Sequence, residues 1–104
     1  MAKINLVGNS YLSSVGMVTI TMGGIKETLN QPHRFQFEKI NAIYSIIQLL
    51  AEAELVKTSA DKMDRPLNWH YLRIIIAGNY SYIVVREDMK SGNKILYSIV
   101  DYIK

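Results

Sequence analysis

The sequence contains no cysteine. This absence excludes a disulfide scaffold, a thiolate zinc site and a cysteine nucleophile. The longest uninterrupted apolar run is only a handful of residues, which is far too short for a membrane-spanning helix. The first five residues, MAKIN, lack the apolar segment of a signal peptide, so export, if it occurs, is expected to depend on residues outside this stretch.

Several motifs that bind metals, phosphates or acyl groups are missing too. The two histidines, His33 and His70, are far apart, and neither belongs to an H-x-x-x-H pair or to an aspartate cluster. We therefore expect no metal site and no cofactor. There is no P-loop and no G-x-S-x-G elbow.

The composition is that of one globular domain. The chain has 104 residues, of which 49% are hydrophobic and 20% are charged, enough for a small core. Its net charge of +3 mildly favours a nucleic-acid partner, because phosphate contacts supply much of the affinity for RNA and DNA.

The first half of the chain predicts one strand and one long helix. Residues 1–14 are polar and predict a lead-in segment or a short edge strand, and residues 15–22 predict a strand that ends at two glycines. A short helical turn follows over residues 25–30. Residues 35–56 predict one amphipathic helix, with Lys39 among its exposed positions. Its apolar stripe comprises Phe37, Ile40, Ile43, Ile47, Leu50 and Ala53.

The second half predicts a loop and then strands. Residues 57–68 are polar and predict a connection without regular structure. Three strands are then predicted at 69–77, 80–88 and 94–103, with a Gly78-Asn79 hairpin turn between the first two. The expected fold is α+β, a single domain in which N-terminal helices pack on a twisted antiparallel sheet of about four strands.

The alternation of residues along these strands predicts two different sheet faces. One face packs on the helix, and the other presents Tyr80, Tyr82 and Tyr102 with Arg86 and Ser98. Tyrosines next to arginine are suited to stacking bases and holding phosphates. The alternative is that the tyrosines complete a second hydrophobic layer.

Four side chains are of the types that metal-free phosphodiester transfer requires. Such a ribonuclease needs a base for the 2′-OH proton, an acid for the departing oxygen and cations for the phosphorane. Histidine suits both proton-transfer roles. His33 lies in a Pro-His-Arg turn away from any apolar stripe, whereas His70 lies between two aromatic residues and is as readily explained by packing. The remaining two are the cations Lys26 and Arg86.

Three blocks of the sequence carry a family resemblance. They are residues 24–33 (GIKETLNQPH), the helix around Glu38-Lys39 that ends in 49–53 (LLAEA), and the sheet segments 80–87 (YSYIVVRE) and 95–99 (ILYSI). Over residues 15–104 the chain resembles the compact nuclease domains of polymorphic, contact-dependent and phage-borne toxins in the barnase–EndoU–colicin–RelE superfamily. The I-K-E-x-L-N-x-P-H block is the sharpest part.

The resemblance implies an activity, a partner and a set of roles. It implies metal-independent RNA cleavage to a 2′,3′-cyclic phosphate, with tRNA among the candidate substrates, and a cognate immunity protein or antitoxin. It also implies action in the cytoplasm of a target cell, after delivery within a larger secreted or phage-borne protein. The residues carried over from the resemblance are His33, Lys26, Arg86 and Ser98, with the cations stabilising the phosphorane and Ser98 or a tyrosine positioning the phosphate. His70, singled out by its residue type, completes the candidate catalytic set as the partner of His33 in proton transfer.

The candidate RNA-contacting set is Tyr80, Tyr82, Tyr102 and Glu27. Glu27 is also the nearest candidate for a glutamate base, and the alternative for it is stabilisation of the helix dipole. Two other functions stay open at this point. The first is a non-enzymatic binder, such as an immunity protein or antitoxin. The second is an RNA-binding module that cleaves nothing. Tyrosine is enriched at protein interfaces, which supports the binder, but the basic charge opposes it.

Overall fold

The computed structural model describes residues 7–31 and 33–103. Residues 1–6 of the predicted lead-in, Pro32 and the side chain of Ile40 in the predicted stripe lie outside the described part. The elements in chain order are β1 (Ser10–Ser13), β2 (Gly16–Thr19), α1 (Met22–Asn30), α2 (Gln36–Ile43), α3 (Ile46–Glu52), β3 (Glu54–Ala60), β4 (Leu67–Ile76), β5 (Asn79–Asp88) and β6 (Lys94–Val100).

The predicted fold class is wrong, because the protein is mostly sheet and its helices are short. One mixed sheet of six strands has the order β1-β2-β6-β5-β4-β3. The order β6-β5-β4 is the predicted antiparallel meander. The hairpin of β1 and β2 extends it through a parallel pairing at Thr19 and Ile95, and β3 extends it at the other edge.

The predicted long helix is two helices followed by a strand. Tyr44 and Ser45 separate α2 from α3, and their N–H groups bond to carbonyls three residues back, at Asn41 and Ala42. Hydrogen bonds to a carbonyl three residues back form a 3₁₀ turn, which commonly ends an α-helix. The stripe is accordingly interrupted, and Phe37 is 72% exposed.

Half of the predicted connection over residues 57–68 is strand, at 57–60 and 67–68. Residues 54–60 form β3, which pairs antiparallel with β4, so only residues 61–66 remain as a turn. β3 is an exposed edge strand and buries little apolar surface, so it carries no hydrophobic pattern that sequence could show. The β4–β5 turn is Ala77-Gly78, one residue earlier than predicted, and both residues have positive φ, as a type I′ turn requires.

The core lies between the helices and one face of the sheet. Gly24 of α1 packs directly against the backbone of β6. Lys39, predicted to be exposed, is fully buried, and its ammonium donates to the carbonyls of Gln31 and Ile99. The buried apolar cluster comprises Val18, Ile20, Ile46, Leu50, Ala53, Leu72, Ile74, Ile76, Ile83, Val85, Leu96 and Ile99.

Candidate functional site

The sheet face opposite the helices carries aromatic and arginine side chains. Because side chains alternate along a strand, the odd positions of β4 and the even positions of β5 share this face. The register places Trp69 opposite Arg86 and Arg73 opposite Tyr82. We call this surface the open face, formed by Trp69, Tyr71, Arg73, Tyr80, Tyr82 and Arg86.

The two arginines of the open face have different surroundings. The Arg73 guanidinium lies 4.5 Å from the ring centre of Tyr80, and it also pairs with Glu54. Arg86 is half-buried, and its side chain makes no hydrogen bond or ion pair to any described residue. Tyr80 is 56% exposed. The predicted tyrosines Tyr80 and Tyr82 thus lie on the same face as Arg86.

A bulge in β6 changes which residues reach this side. The register shifts between Val84 and Val85, so that Leu96 pairs with Val85 and Ser98 pairs with Val84. Leu96 is buried in the core, whereas Tyr97 and Ser98 both line a cleft on the open side. Strict alternation had placed Leu96 and Ser98 on one face. The extra residue of a bulge is the physical reason for the difference.

The cleft lies where the open face meets the 61–66 turn, and its volume is about 390 Å³. Trp69 and Tyr97 form an edge-to-face pair in its wall, with ring centres 4.9 Å apart. Tyr102 lines it and is 58% exposed. Burial raises the pKa of Tyr71, another lining residue.

A buried carboxylate fixes the shape of the turn beside the cleft. Asp61 accepts hydrogen bonds from Arg65 Nε at 2.9 Å, from Trp69 Nε1 at 3.0 Å and from the N–H of Met63 at 3.1 Å. The Arg65 guanidinium is the main cause that holds the pKa of Asp61 well below its usual range. Asp61 therefore stays ionised and holds the indole of Trp69 in place.

His33 joins the α1–α2 connection to the sheet. Its Nδ1 accepts the N–H of Phe35 at 2.9 Å, so in the neutral ring Nε2 carries the proton and donates to Ser81 Oγ, 2.9 Å away. Burial lowers the pKa of His33, and Ser81 is fully buried. This arrangement keeps His33 neutral, with both ring nitrogens occupied.

His70 lies in a chain of hydrogen bonds on the helix side of β4. Its Nδ1 is 2.8 Å from Thr58 Oγ1, and its Nε2 is 2.7 Å from Glu87 Oε1. The bond from His70 is the largest cause that lowers the pKa of Glu87. Lys94 Nζ lies 3.6 Å from the other carboxylate oxygen of Glu87. Thr58, His70 and Glu87 are thus linked by side-chain hydrogen bonds.

The fold does not gather the predicted catalytic residues at one point. His33 contacts Ser81 and His70 contacts Glu87, six residues further along β5. At the rise of an extended strand these two contact residues on β5 are about 20 Å apart. Arg86 and Ser98 lie on the other face of the sheet.

The two predicted residues on α1 lie apart from the open face. Lys26 is exposed on this helix. Glu27 accepts a hydrogen bond from the side chain of Gln31, which lines the cleft. Of the predicted set, the cleft therefore brings together only Ser98 and Tyr102, with Glu27 one contact away.

Sequence reasoning missed Trp69, Tyr71 and Arg73. Their signal was readable, because they alternate with buried His70 and Leu72 along β4. Within residues 7–31 and 33–103, no cluster of three or more acidic or histidine side chains is placed to hold a metal. In that same part of the chain, no helix has the length and apolar character needed to span a membrane.

Comparison with known proteins gives one match. No curated protein and no solved structure is significantly similar to this chain. The family described as large polyvalent protein-associated domain 3 matches residues 1–97. That description places such domains within larger proteins. Since the match covers nearly the whole sequence, the chain belongs to the large polyvalent protein-associated domain 3 family.

Proposed function

We propose that this domain binds single-stranded RNA across the open face. The observation that carries the proposal is the pairing of aromatic and arginine side chains on neighbouring strands, with Trp69 opposite Arg86 and Tyr82 opposite Arg73. Unpaired bases stack on aromatic rings, and each such contact contributes about 1–3 kcal/mol. A duplex hides its base faces, so this surface favours a single strand.

Binding of a single strand requires phosphate contacts as well as base stacking, and the two arginines of the open face can supply them. Arg86 has no intramolecular ion pair among the described residues, so phosphate binding there breaks no existing pair. Arg73 must share its charge with Glu54, but this pair is partly exposed and such pairs are weak. Along β5, Tyr82 and Arg86 are about 13 Å apart, which aligns the contacts with an extended strand.

Binding is measured by fluorescence anisotropy of a labelled 12-nucleotide single-stranded RNA over a series of salt concentrations. Arg86→Gln and Arg73→Gln should each weaken binding and reduce the salt slope by about 1. Lys90→Gln is the matched control, because Lys90 is exposed in the β5–β6 turn, away from the open face. Equal losses for all three variants, or none, would overturn the proposal.

Metal-independent endoribonuclease activity on the bound strand is a second candidate, favoured by the Thr58–His70–Glu87 chain. Thr58 is exposed on the edge strand, so a strand on the open face can reach it around that edge. If the Thr58 hydroxyl turns away, Nδ1 of His70 can take the 2′-OH proton while Nε2 donates to Glu87. The 2′ oxygen then bonds to phosphorus, and the 5′ oxygen leaves with a proton from water.

This second candidate brings with it the biological setting that the nuclease resemblance implies. An RNA such as tRNA would be the substrate, and an immunity protein or antitoxin would be the partner. The larger protein that contains the domain would deliver it to the cytoplasm of a target cell. Host cells expressing the domain alone should then grow poorly, whereas a non-enzymatic binder should be harmless.

The cleavage test uses RNA incubated with the purified domain in EDTA. If the second candidate holds, His70→Ala should slow cleavage by about 10²–10⁴-fold. His33→Ala separates the two histidines, because the geometry favours His70 as the proton-transfer group and leaves His33 a packing role. RNA that stays intact at every protein concentration would reject the nuclease and leave RNA binding as the function.

A further inference from the structure

The cleft beside the 61–66 turn is lined by a serine hydroxyl, that of Ser98, which has no hydrogen-bond partner among the described residues. Ser98 is only 1% exposed, yet no described residue makes a hydrogen bond with its hydroxyl. Every fully buried side-chain polar atom in the described ranges does have a partner. The Ser98 hydroxyl must therefore open onto the cleft that it lines, where it is available to a ligand.

The walls of this cleft are aromatic and held in position before any ligand arrives. The indole N–H of Trp69 is bonded to Asp61, and its ring packs against Tyr97. Tyr102 stands at the opening. The volume of about 390 Å³ is within the range of small-ligand sites. Rings that are already fixed lose little entropy on binding.

The rim of the cleft carries two cations, Arg65 and Lys62, and Arg65 shares its charge with Asp61. Arg65 uses Nε and Nη2 to bind Asp61, which leaves Nη1 without a partner in the described chain. The Arg65 side chain is 55% exposed, and exposed Lys62 lies beside it in the same lining. An aromatic slot with a hydroxyl floor and a cationic rim matches the base, the base edge and the phosphate of one nucleotide.

We propose that the cleft is a subsite for one unstacked nucleobase of the bound RNA. The base lies against Trp69, its edge hydrogen-bonds to Ser98 Oγ, and its phosphate meets Arg65. A hydroxyl both donates and accepts, so this contact suits any of the four bases. The assignment rests on the proposed function, because it names where that RNA places one of its bases.

The single tryptophan of the sequence makes the test direct, because Trp69 is the only indole that can report. A 12-nucleotide RNA should quench its fluorescence, and an abasic ribose-phosphate oligomer of the same length should not. Ser98→Leu fills the cleft and should abolish the quenching. Because Ser98→Leu removes the contact of one stacked base, it should also weaken RNA binding, measured by anisotropy, by about 5- to 150-fold.

A second variant tests the cleft independently, in case Ser98→Leu does not fold. Tyr102→Ala changes an exposed rim residue and should also weaken RNA binding. Tyr44→Ala is its matched control. The exposed fraction of Tyr44, 63%, is similar to the 58% of Tyr102, but Tyr44 lies at the end of α2, away from the cleft. If RNA binds but Ser98→Leu leaves the quenching of Trp69 unchanged, or Tyr102→Ala binds like Tyr44→Ala, the subsite is overturned and the proposed function stands. If no RNA binds, both are overturned.

Discussion

Gly24 is the position where one added methyl group should do most damage. A Cβ built on Gly24 would lie 1.9 Å from the carbonyl oxygen of Leu96 and 3.1 Å from its carbonyl carbon. An ordinary contact begins near 3.4 Å, so α1 and β6 would have to separate by about 1.5 Å. The obstacle is strand backbone, which cannot rotate away as a side chain can.

The expected cost of Gly24→Ala is at the upper end for overpacking, about 3 kcal/mol. For a domain of this size that lowers the melting temperature by roughly 12–24 °C. Urea denaturation followed by circular dichroism, together with a thermal scan, measures both quantities. Two probes with coincident transitions would establish that the comparison is two-state.

The neighbouring glycine is a control in the same turn of α1. A Cβ on Gly23 would meet only Thr21 Oγ1, at 3.9 Å, so nothing has to move. Gly23→Ala should stabilise the protein by about 0.5–1 kcal/mol, because alanine is the better helix former. If Gly24→Ala were as stable as wild type, the docking of α1 on β6 described above would be incorrect.

Three further predictions test the core and the buried titratable groups. Ile46→Ala should cost about 2–5 kcal/mol in urea denaturation, whereas exposed Phe37→Ser should change stability by less than about 0.5 kcal/mol; similar costs would mean that the helix faces are misassigned. Because the pKa of Asp61 is lowered in the folded state, its contribution is present above about pH 4 and lost in acid, so the urea midpoint of Asp61→Asn should approach that of wild type as the pH falls. Burial lowers the pKa of His33, so it contributes stability above about pH 6.5 that is lost as the pH falls; an imidazole titration by NMR at or above that value would refute this.

Periodicity predicted the parts of the fold where burial alternates regularly. β4 and β5 each have one face in the core, so buried apolar side chains recur at every second position, at Leu72, Ile74 and Ile76 and at Ile83 and Val85, and these strands could be found. β3 has no such signal, because six of its seven residues are exposed. The parallel pairing of β2 with β6 is a long-range contact at Thr19 and Ile95, and local sequence does not encode it.

The helices and the bulge show the limits of pattern reading. Spacing alone cannot show that the chain turns at Tyr44-Ser45, since apolar residues continue on both sides of the turn. Lys39 is a polar residue in the core, allowed because two carbonyls accept from its ammonium. The bulge in β6 reverses which sheet face the side chains point to after Leu96, and no residue type in this strand predicts it.

The candidate site was predictable in its chemistry but not in its geometry. Tyr80, Tyr82 and Arg86 share the expected face because strand alternation is a local property. Which histidine could act depends on partners 17 and 48 residues away, Glu87 for His70 and Ser81 for His33. Such distant contacts come from the fold and are invisible in a single sequence.

The central claim, that RNA lies across the open face, is tested most directly by NMR. The backbone amides of the domain are followed while a 12-nucleotide single-stranded RNA is added. Bound RNA should produce the largest shifts along β4 and β5 around Trp69, Arg73, Tyr82 and Arg86, with α2 and α3 unchanged. Shifts confined to α2 and α3, or no shifts at saturating RNA, would contradict it.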